Sequence, residues 1–109
     1  MTYEELVERI RKEVKELDAS HIKEHVAVEL DIRGPGEGAL YIEIRDGKII
    51  VEPYEYYDRD AIITTSAQMA LDIASGAITI ESAYNRGLIH FRGKLDKAYL
   101  FDEAKRTKE

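Results

Sequence analysis

Near its start the chain carries apolar side chains every three or four positions, which predicts an amphipathic helix. Thr2 and Glu5 have the spacing of a capping box, in which each side chain accepts a backbone N–H of the first turn. A polar connection over 18–25 is expected to follow. The predicted buried stripe consists of Leu6, Ile10, Val14 and Leu17.

Alternating apolar and polar residues over 26–33 and 40–45 have the period of β-strands with one face in the core and one face in water. The segment 34–38 lies between these two strands and contains three glycines and a proline, so it predicts a turn. The polar members of each strand are therefore expected to face solvent.

A second hairpin is indicated by Asp46-Gly47, because glycine adopts the positive φ that a two-residue type I′ turn requires. The register across this turn places Ile44 opposite Ile49 and Ile42 opposite Val51. We expect these four side chains to share one buried face of the sheet.

A short apolar run over 61–64 predicts a fourth strand, after which the pattern becomes helical. Thr65 and Ser66 both fit the N-cap of this helix, and Gly76 fits the left-handed position at its end. Thr79 fits the cap of a second, short helix.

The last part of the chain predicts a short helix ending at Gly87, a strand over 88–92, a break at Gly93 and a final helix. The tail from Lys105 is charged and is expected to fray. The order α-β-β-β-β-α-α-β-α, with hairpin-linked strands before helices, predicts an α+β fold. One domain over 1–109 is expected for a chain of 109 residues.

Small and apolar residues recur in the last third of the chain in a set order. A Thr-x-Ser precedes a helix, a Gly and an Ala follow, and a Gly-x-hydrophobic-x-hydrophobic-x-Gly stretch leads into the last helix. These positions are Thr64, Ser66, Gly76, Ala83, Gly87, Ile89, Phe91 and Gly93. The pattern resembles the sterol carrier protein type 2 (SCP2) family of lipid-binding and lipid-transfer domains, and the strand order extends this resemblance over nearly the whole chain.

The resemblance implies the SCP2-like sterol-binding fold, a five-stranded, mostly antiparallel sheet with helices packed on one face. It also implies an apolar cavity between the sheet and the C-terminal helices. Members of the family bind sterols, fatty acids, fatty acyl-CoA or phospholipids. The resemblance therefore predicts a small lipid carrier. The alternative is a structural or protein-interaction domain with the same fold and no ligand, and one version of this alternative is a homodimer.

A lipid site needs contiguous apolar walls, because its ligand gains mostly from leaving water. Apolar side chains of the last third are the candidates, although the same residues are typical of an ordinary core. The candidate lipid-binding residues are Met69, Ile73, Ile78, Tyr84, Leu88, Phe91, Tyr99 and Leu100.

Basic side chains cluster locally in this acidic chain, and they are candidates for contact with an anionic headgroup or, transiently, a membrane surface. The headgroup candidates are Arg86, His90 and Arg92. The alternative is a solvated outer face. Tyr54, Tyr56 and Tyr57 form a second candidate surface, for a partner or for contact with the edge of their own sheet.

The letters His21-x-x-Glu24-His25 match an inverted zinc protease motif. They lie between a helix and a strand, so a shared helical face is not expected, and a polar connector is the favoured interpretation. We predict no catalytic residue, metal site or cofactor.

Charge and composition narrow the classes of partner. The chain has 16 Lys and Arg against 22 Asp and Glu, a formal charge of −6, which disfavours nucleic acid. It contains no cysteine, which excludes disulfides and thiol chemistry. The first residues are too charged for a signal peptide, and the apolar runs are too short to span a bilayer. These features predict a soluble, cytoplasmic protein.

Overall fold

The computed structural model of the chain describes residues 1–55 and 57–106. The helices are α1 (Tyr3–Val14), α2 (Ala67–Ser75), α3 (Ile80–Asn85) and α4 (Leu95–Ala98), and a 3₁₀ helix (Tyr99–Glu103) continues α4. The strands are β1 (Leu17–Asp18), β2 (Val26–Ile32), β3 (Gly38–Arg45), β4 (Lys48–Glu52), β5 (Ala61–Thr65), β6 (His90–Gly93) and β7 (Lys105–Arg106).

Five strands form one sheet in the order β4-β3-β2-β5-β6. The β2–β5 pair is parallel and the other pairs are antiparallel. The helices α1 and α2 pack against each other over one face of this sheet, which we call the inner face. The prediction of an α+β fold with a mostly antiparallel five-stranded sheet and helices on one face is confirmed.

The β3–β4 hairpin follows the predicted register. Asp46 has φ 54° and Gly47 has φ 75°, both in the left-handed region that a type I′ turn requires. Ile44 pairs with Ile49 and Ile42 pairs with Val51. Because paired residues point to the same side of a sheet, these side chains all lie on the inner face.

The helix α1 is fixed to the sheet by polar contacts as well as by its apolar stripe. The predicted capping box at Thr2 and Glu5 is present. The Arg11 Nε donates to the carbonyl of Val51 at 3.1 Å, and Arg11 also pairs with Glu52 at 3.2 Å. These contacts hold α1 against the edge strand β4.

Both predicted caps of the central helices are present. Ser66, rather than Thr65, caps α2 by accepting the Met69 N–H at 3.2 Å, because Thr65 still belongs to β5. Gly76 ends this helix with φ 83°. Thr79 caps α3 by accepting the Ser82 N–H.

The prediction that Leu17 extends the stripe of α1 is wrong. The tail does not fray at Lys105, which pairs with Asp18, and the rest of the predicted frayed tail, 107–109, lies outside the described residues. The helix ends at Val14, and Leu17 lies in β1, opposite Arg106 of β7. Because the backbone at Leu17 is extended, its side chain reaches the core while β1 pairs with β7. The last helix is also shorter than predicted, because it changes to 3₁₀ geometry after Ala98.

The predicted strand over 88–92 begins later, at His90. The end of α3 accounts for this shift, since the Leu88 N–H donates to the Ala83 carbonyl at 2.9 Å and Gly87 has φ 71°. Leu88 is thus used to close the helix rather than to pair in the sheet.

The opposite face, which we call the outer face, is not the solvated face that alternation predicts. Glu29 is 6% exposed, Tyr41 8% and Glu43 1%. Two residues that follow β4 cover this face: the Tyr54 ring lies 5.5 Å from the ring of Tyr41, and Arg59 pairs with Glu29. Tyr56, which belongs to the predicted tyrosine surface, lies outside the described residues. Burial and the hydrogen bond with Tyr54 raise the pKa of Tyr41 to about 12.

Candidate functional site: an apolar cavity beside the 3₁₀ helix

An apolar cavity lies between the inner face of the sheet and the helix α2. Ile42, Ile49 and Ile63 line its sheet side, and Ala70 and Ile73 line its helix side. Its volume is about 50 Å³, which is room for a few water-sized groups at about 10–15 Å³ each. The wall is contiguous and almost entirely apolar, as a lipid site requires.

One end of the cavity is built by segments close to the two ends of the described chain. Leu17 of β1 contributes to the wall, together with Phe101 and Asp102 of the 3₁₀ helix. Among the described residues of this wall, Asp102 is the one that is ionisable. The 3₁₀ helix thus brings a carboxyl group to an otherwise apolar enclosure.

Asp102 connects the 3₁₀ helix to the start of α3. Its Oδ1 accepts the N–H of Ile80 at 2.7 Å, and its Oδ2 accepts the N–H of Glu81 at 3.0 Å. Burial raises the pKa of Asp102, and the two backbone hydrogen bonds oppose that rise. The carboxylate thus takes up orphan N–H groups at a helix start while it lies beside an apolar space.

A second hollow of about 240 Å³ adjoins the cavity. The two spaces share Leu17, Ile73, Phe101 and Asp102, and the second one extends to Ile78. Because the shared wall includes the 3₁₀ helix, a displacement of that helix would join them into one larger space.

The predicted lipid-binding residues lie at several places. Ile73 lines both the cavity and the second hollow, and Ile78 lines the second hollow. Met69 and Leu88 line a separate surface depression next to Ile89. Ile73 is thus the one predicted residue in the wall of the cavity itself.

The remaining four are aromatic or lie on the 3₁₀ helix. Tyr84 is 39% exposed, and its ring meets the ring of Phe91 edge-on at 5.9 Å. Tyr99 and Leu100 are half-buried and pack against the core. Whether these four side chains contact a lipid stays a prediction.

The headgroup candidates lie away from the cavity. His90 pairs with Thr64 and Arg92 pairs with Ile62, positions that alternate with the inward-facing Ile63. They therefore point to the outer face, across the sheet from the cavity. Arg86 is exposed at the end of α3.

Sequence reasoning did not include the strand residues of this wall among the lipid-binding candidates, although it placed Ile42 and Ile49 correctly on the buried face. It also missed Asp102, for which the sequence carries no signal. Phe101 falls within the predicted last helix, and only its place in the 3₁₀ helix brings it to the cavity.

The two histidines of the protease-like motif do not converge. The His21 Nε2 lies 2.8 Å from the carbonyl oxygen of Glu103, whereas His25 hydrogen-bonds to Glu43, and 19–25 is not helical. Across residues 1–55 and 57–106, no group of three or more potential metal ligands occurs. The same residues contain no helix with the length and apolar character needed to cross a bilayer.

No family model matches this sequence, and no curated sequence matches it with significance. Solved structures do match the fold. The solution structure of palmitated SCP2L2 from Aedes aegypti has a TM-score of 0.63 at 22% identity, over 94% of this chain and 93% of that protein. The chain has an SCP2-like fold. Sterol Carrier Protein-2 from the same organism, in complex with palmitate, gives a TM-score of 0.58 at 14% identity over the same shares.

The SCP2-like fold also occurs within a larger protein. A double mutant of the sec-alkyl sulfatase PisA1 matches with a TM-score of 0.71 at 12% identity over 88% of this chain. The chain spans only 15% of that protein. This similarity concerns one region of the sulfatase and therefore shows a shared fold.

Proposed function

We propose that this protein reversibly binds one long apolar molecule, such as a fatty acyl chain, in the cavity between the sheet and α2, and catalyses no reaction on it. The observation that carries this proposal is the wall of the cavity, which is apolar from the inner face of four neighbouring strands to Ile73. Burying a methylene group in such a wall contributes about 0.8 kcal/mol.

The cavity must widen to hold an acyl chain, because ligand sites of drug-sized molecules usually span about 300–1,000 Å³. The 3₁₀ helix is the element best suited to move. Such helices have poorer hydrogen-bond geometry than α-helices, and no side chain caps this one. Its displacement adds the adjoining hollow of about 240 Å³.

The two mosquito proteins support this proposal, since their structures carry palmitate in an SCP2 fold. The sulfatase region supports no catalytic role, because the chain corresponds to a small part of that enzyme. Sterols, acyl-CoA and phospholipids remain within the proposed ligand class, and the cavity wall favours whichever has a slender apolar part.

The headgroup of the ligand is expected to remain in water. Among the described residues that line the cavity and the adjoining hollow, Asp102 is the single charged side chain, and it repels a carboxylate. An uncharged head, as in hexadecanol, is therefore expected to bind at least as tightly as palmitate at neutral pH.

The test is calorimetric titration of palmitate and hexadecanol into the protein and into two matched variants. Ile42→Trp fills the cavity from the inner face and should lower affinity at least tenfold. Ile62→Trp places the same bulk on the outer face and should leave affinity unchanged.

Equal losses in both variants would overturn the placement of the ligand. If neither ligand binds to the unaltered protein and its mass in solution rises with concentration, the interaction-domain alternative replaces the carrier.

A further inference from the structure

A polar hollow of about 420 Å³ lies on the outer face of the sheet. Its floor consists of two rows of residues that cross three neighbouring strands. In each row, a residue of β2 pairs with a residue of β5, which in turn pairs with a residue of β6. The first row is Glu29, Ile62 and Arg92, and the second is Asp31, Thr64 and His90.

Glu29 is the buried anionic group of this floor. The residue is 6% exposed, and its Oε1 has no hydrogen-bond partner within the described part of the chain. The Arg59 Nε forms an ion pair with that oxygen at 3.6 Å, a distance too long for a hydrogen bond. A buried acceptor left in this state is costly, and a donor supplied by a ligand would remove the cost.

Arg92 is the cationic group at the other side of the first row. It is exposed, and its guanidinium forms no ion pair or hydrogen bond with any described residue. In the second row the charge of Asp31 is already paired with Arg33 at 2.9 Å. The first row thus presents an unsatisfied carboxylate oxygen and an unpaired guanidinium on strands two positions apart, with about 9.5 Å between their backbones.

We propose that this hollow binds a small zwitterion, with its ammonium group on Glu29 and its phosphate or carboxylate on Arg92. A simple anion would meet Glu29 and Asp31, and a simple cation would meet Arg59 and Arg92, so neither half alone suits the floor. Both side chains project from strands about 9.5 Å apart, so the two charged groups of the ligand are expected to be joined by a short linker. This site lies across the sheet from the apolar cavity and does not depend on it.

Burial raises the pKa of Glu29 more than Arg59 lowers it. The ammonium of a ligand favours the ionised carboxylate, so binding should strengthen as the pH rises through the pKa of Glu29. A ligand phosphate also gains charge as the pH rises, so the contribution of the ammonium contact is the part of this dependence that Glu29→Gln removes.

The experiment titrates O-phosphoethanolamine, ethanolamine and inorganic phosphate into the protein, with calorimetry for affinity and amide NMR shifts for location. We expect the zwitterion to bind at least tenfold more tightly than either half, to shift amides of β5 and β6, and to bind equally with and without palmitate. Phosphate that binds as tightly as the zwitterion, or a lack of binding by all three, would overturn the proposal.

Variants assign the two groups. Glu29→Gln and Arg92→Met should each weaken zwitterion binding about tenfold. Glu24→Gln and Arg9→Met, exposed residues of the same types outside the hollow, should leave it unchanged. Loss of affinity in all four variants would point to a general charge effect and contradict the assignment.

Vesicles distinguish the source of the zwitterion. Binding of both O-phosphoethanolamine and phosphatidylethanolamine vesicles, each lost in Arg92→Met, would support a lipid headgroup as the ligand. Binding of the soluble compound alone would support a free metabolite.

Discussion

The two faces of this sheet bury their side chains by different means. The inner face packs isoleucine, leucine and valine side chains against α1 and α2, and residues such as Leu40 and Ile44 are fully buried. The outer face buries two carboxylates, each beside a basic side chain. Glu29 lies beside Arg59, and Glu43 lies beside His25. Apolar burial stabilises the fold without requiring a particular partner for each side chain. A buried carboxylate, in contrast, destabilises the fold unless a polar group pairs with it.

The largest expected effect comes from comparing the same substitution, isoleucine to alanine, on the two faces of the sheet. Ile44→Ala removes a fully buried side chain of the inner face and should lower the free energy of unfolding by about 2–5 kcal/mol. Ile50→Ala removes a half-buried side chain of the outer face and should cost about 1 kcal/mol. Urea denaturation measures both, and equal costs would erase the distinction between the faces.

The next effect tests the single-partner dependence of Glu43. His25 makes the contact with this buried carboxylate, although His25 itself is 46% exposed. His25→Ala should lower the free energy of unfolding by about 2 kcal/mol, because the carboxylate is left without that partner.

The matched background is Glu43→Gln, in which no buried charge remains. There the loss of His25 should cost less than about 1 kcal/mol, as a double-mutant cycle would measure. An unchanged cost in that background would mean that His25 stabilises the fold through packing alone.

The smallest effect concerns the pH dependence from Glu29. Its pKa is raised in the folded protein above the usual value, so the folded state binds a proton more tightly than the unfolded chain does. Stability should therefore rise as the pH falls through the folded pKa, and this gain is complete below the ordinary value of about 4.5.

Comparison of the protein with Glu29→Gln isolates that contribution. As the pH is lowered from 7 to 5, the unsubstituted protein should gain free energy of unfolding relative to Glu29→Gln, because only the glutamate takes up a proton on folding. A difference that does not vary with pH would contradict a buried, titrating Glu29.

Local features of the fold could be predicted from the sequence because they depend on neighbouring residues. The type I′ turn at Asp46-Gly47 sets the β3–β4 register, and Ser66, Gly76 and Thr79 set the limits of two helices. Each of these rests on a backbone preference or one short hydrogen bond. The apolar alternation was likewise sufficient to identify the inner face.

Features that depend on distant residues could not be predicted in this way. The pairing of Leu17 with Arg106 and the burial of Glu29 each require a segment far away in sequence. Asp102 gave no signal, because a carboxylate that caps a helix from another element has no fixed spacing from it. The candidate lipid site was placed between the sheet and the C-terminal helices, with its residues taken from the last third of the chain, whereas much of the cavity wall comes from earlier strands.

The parallel β2–β5 pair has a consequence for how the chain folds. The β3–β4 hairpin closes through two residues, whereas Val28 and Ala61 of the parallel pair are 33 positions apart. The entropy of closing that longer loop is lost before its contacts form, and such non-local pairing slows folding. Glu29 gives up its water when this loop closes, so one step of folding carries both the entropic cost of closure and the cost of desolvating a charge.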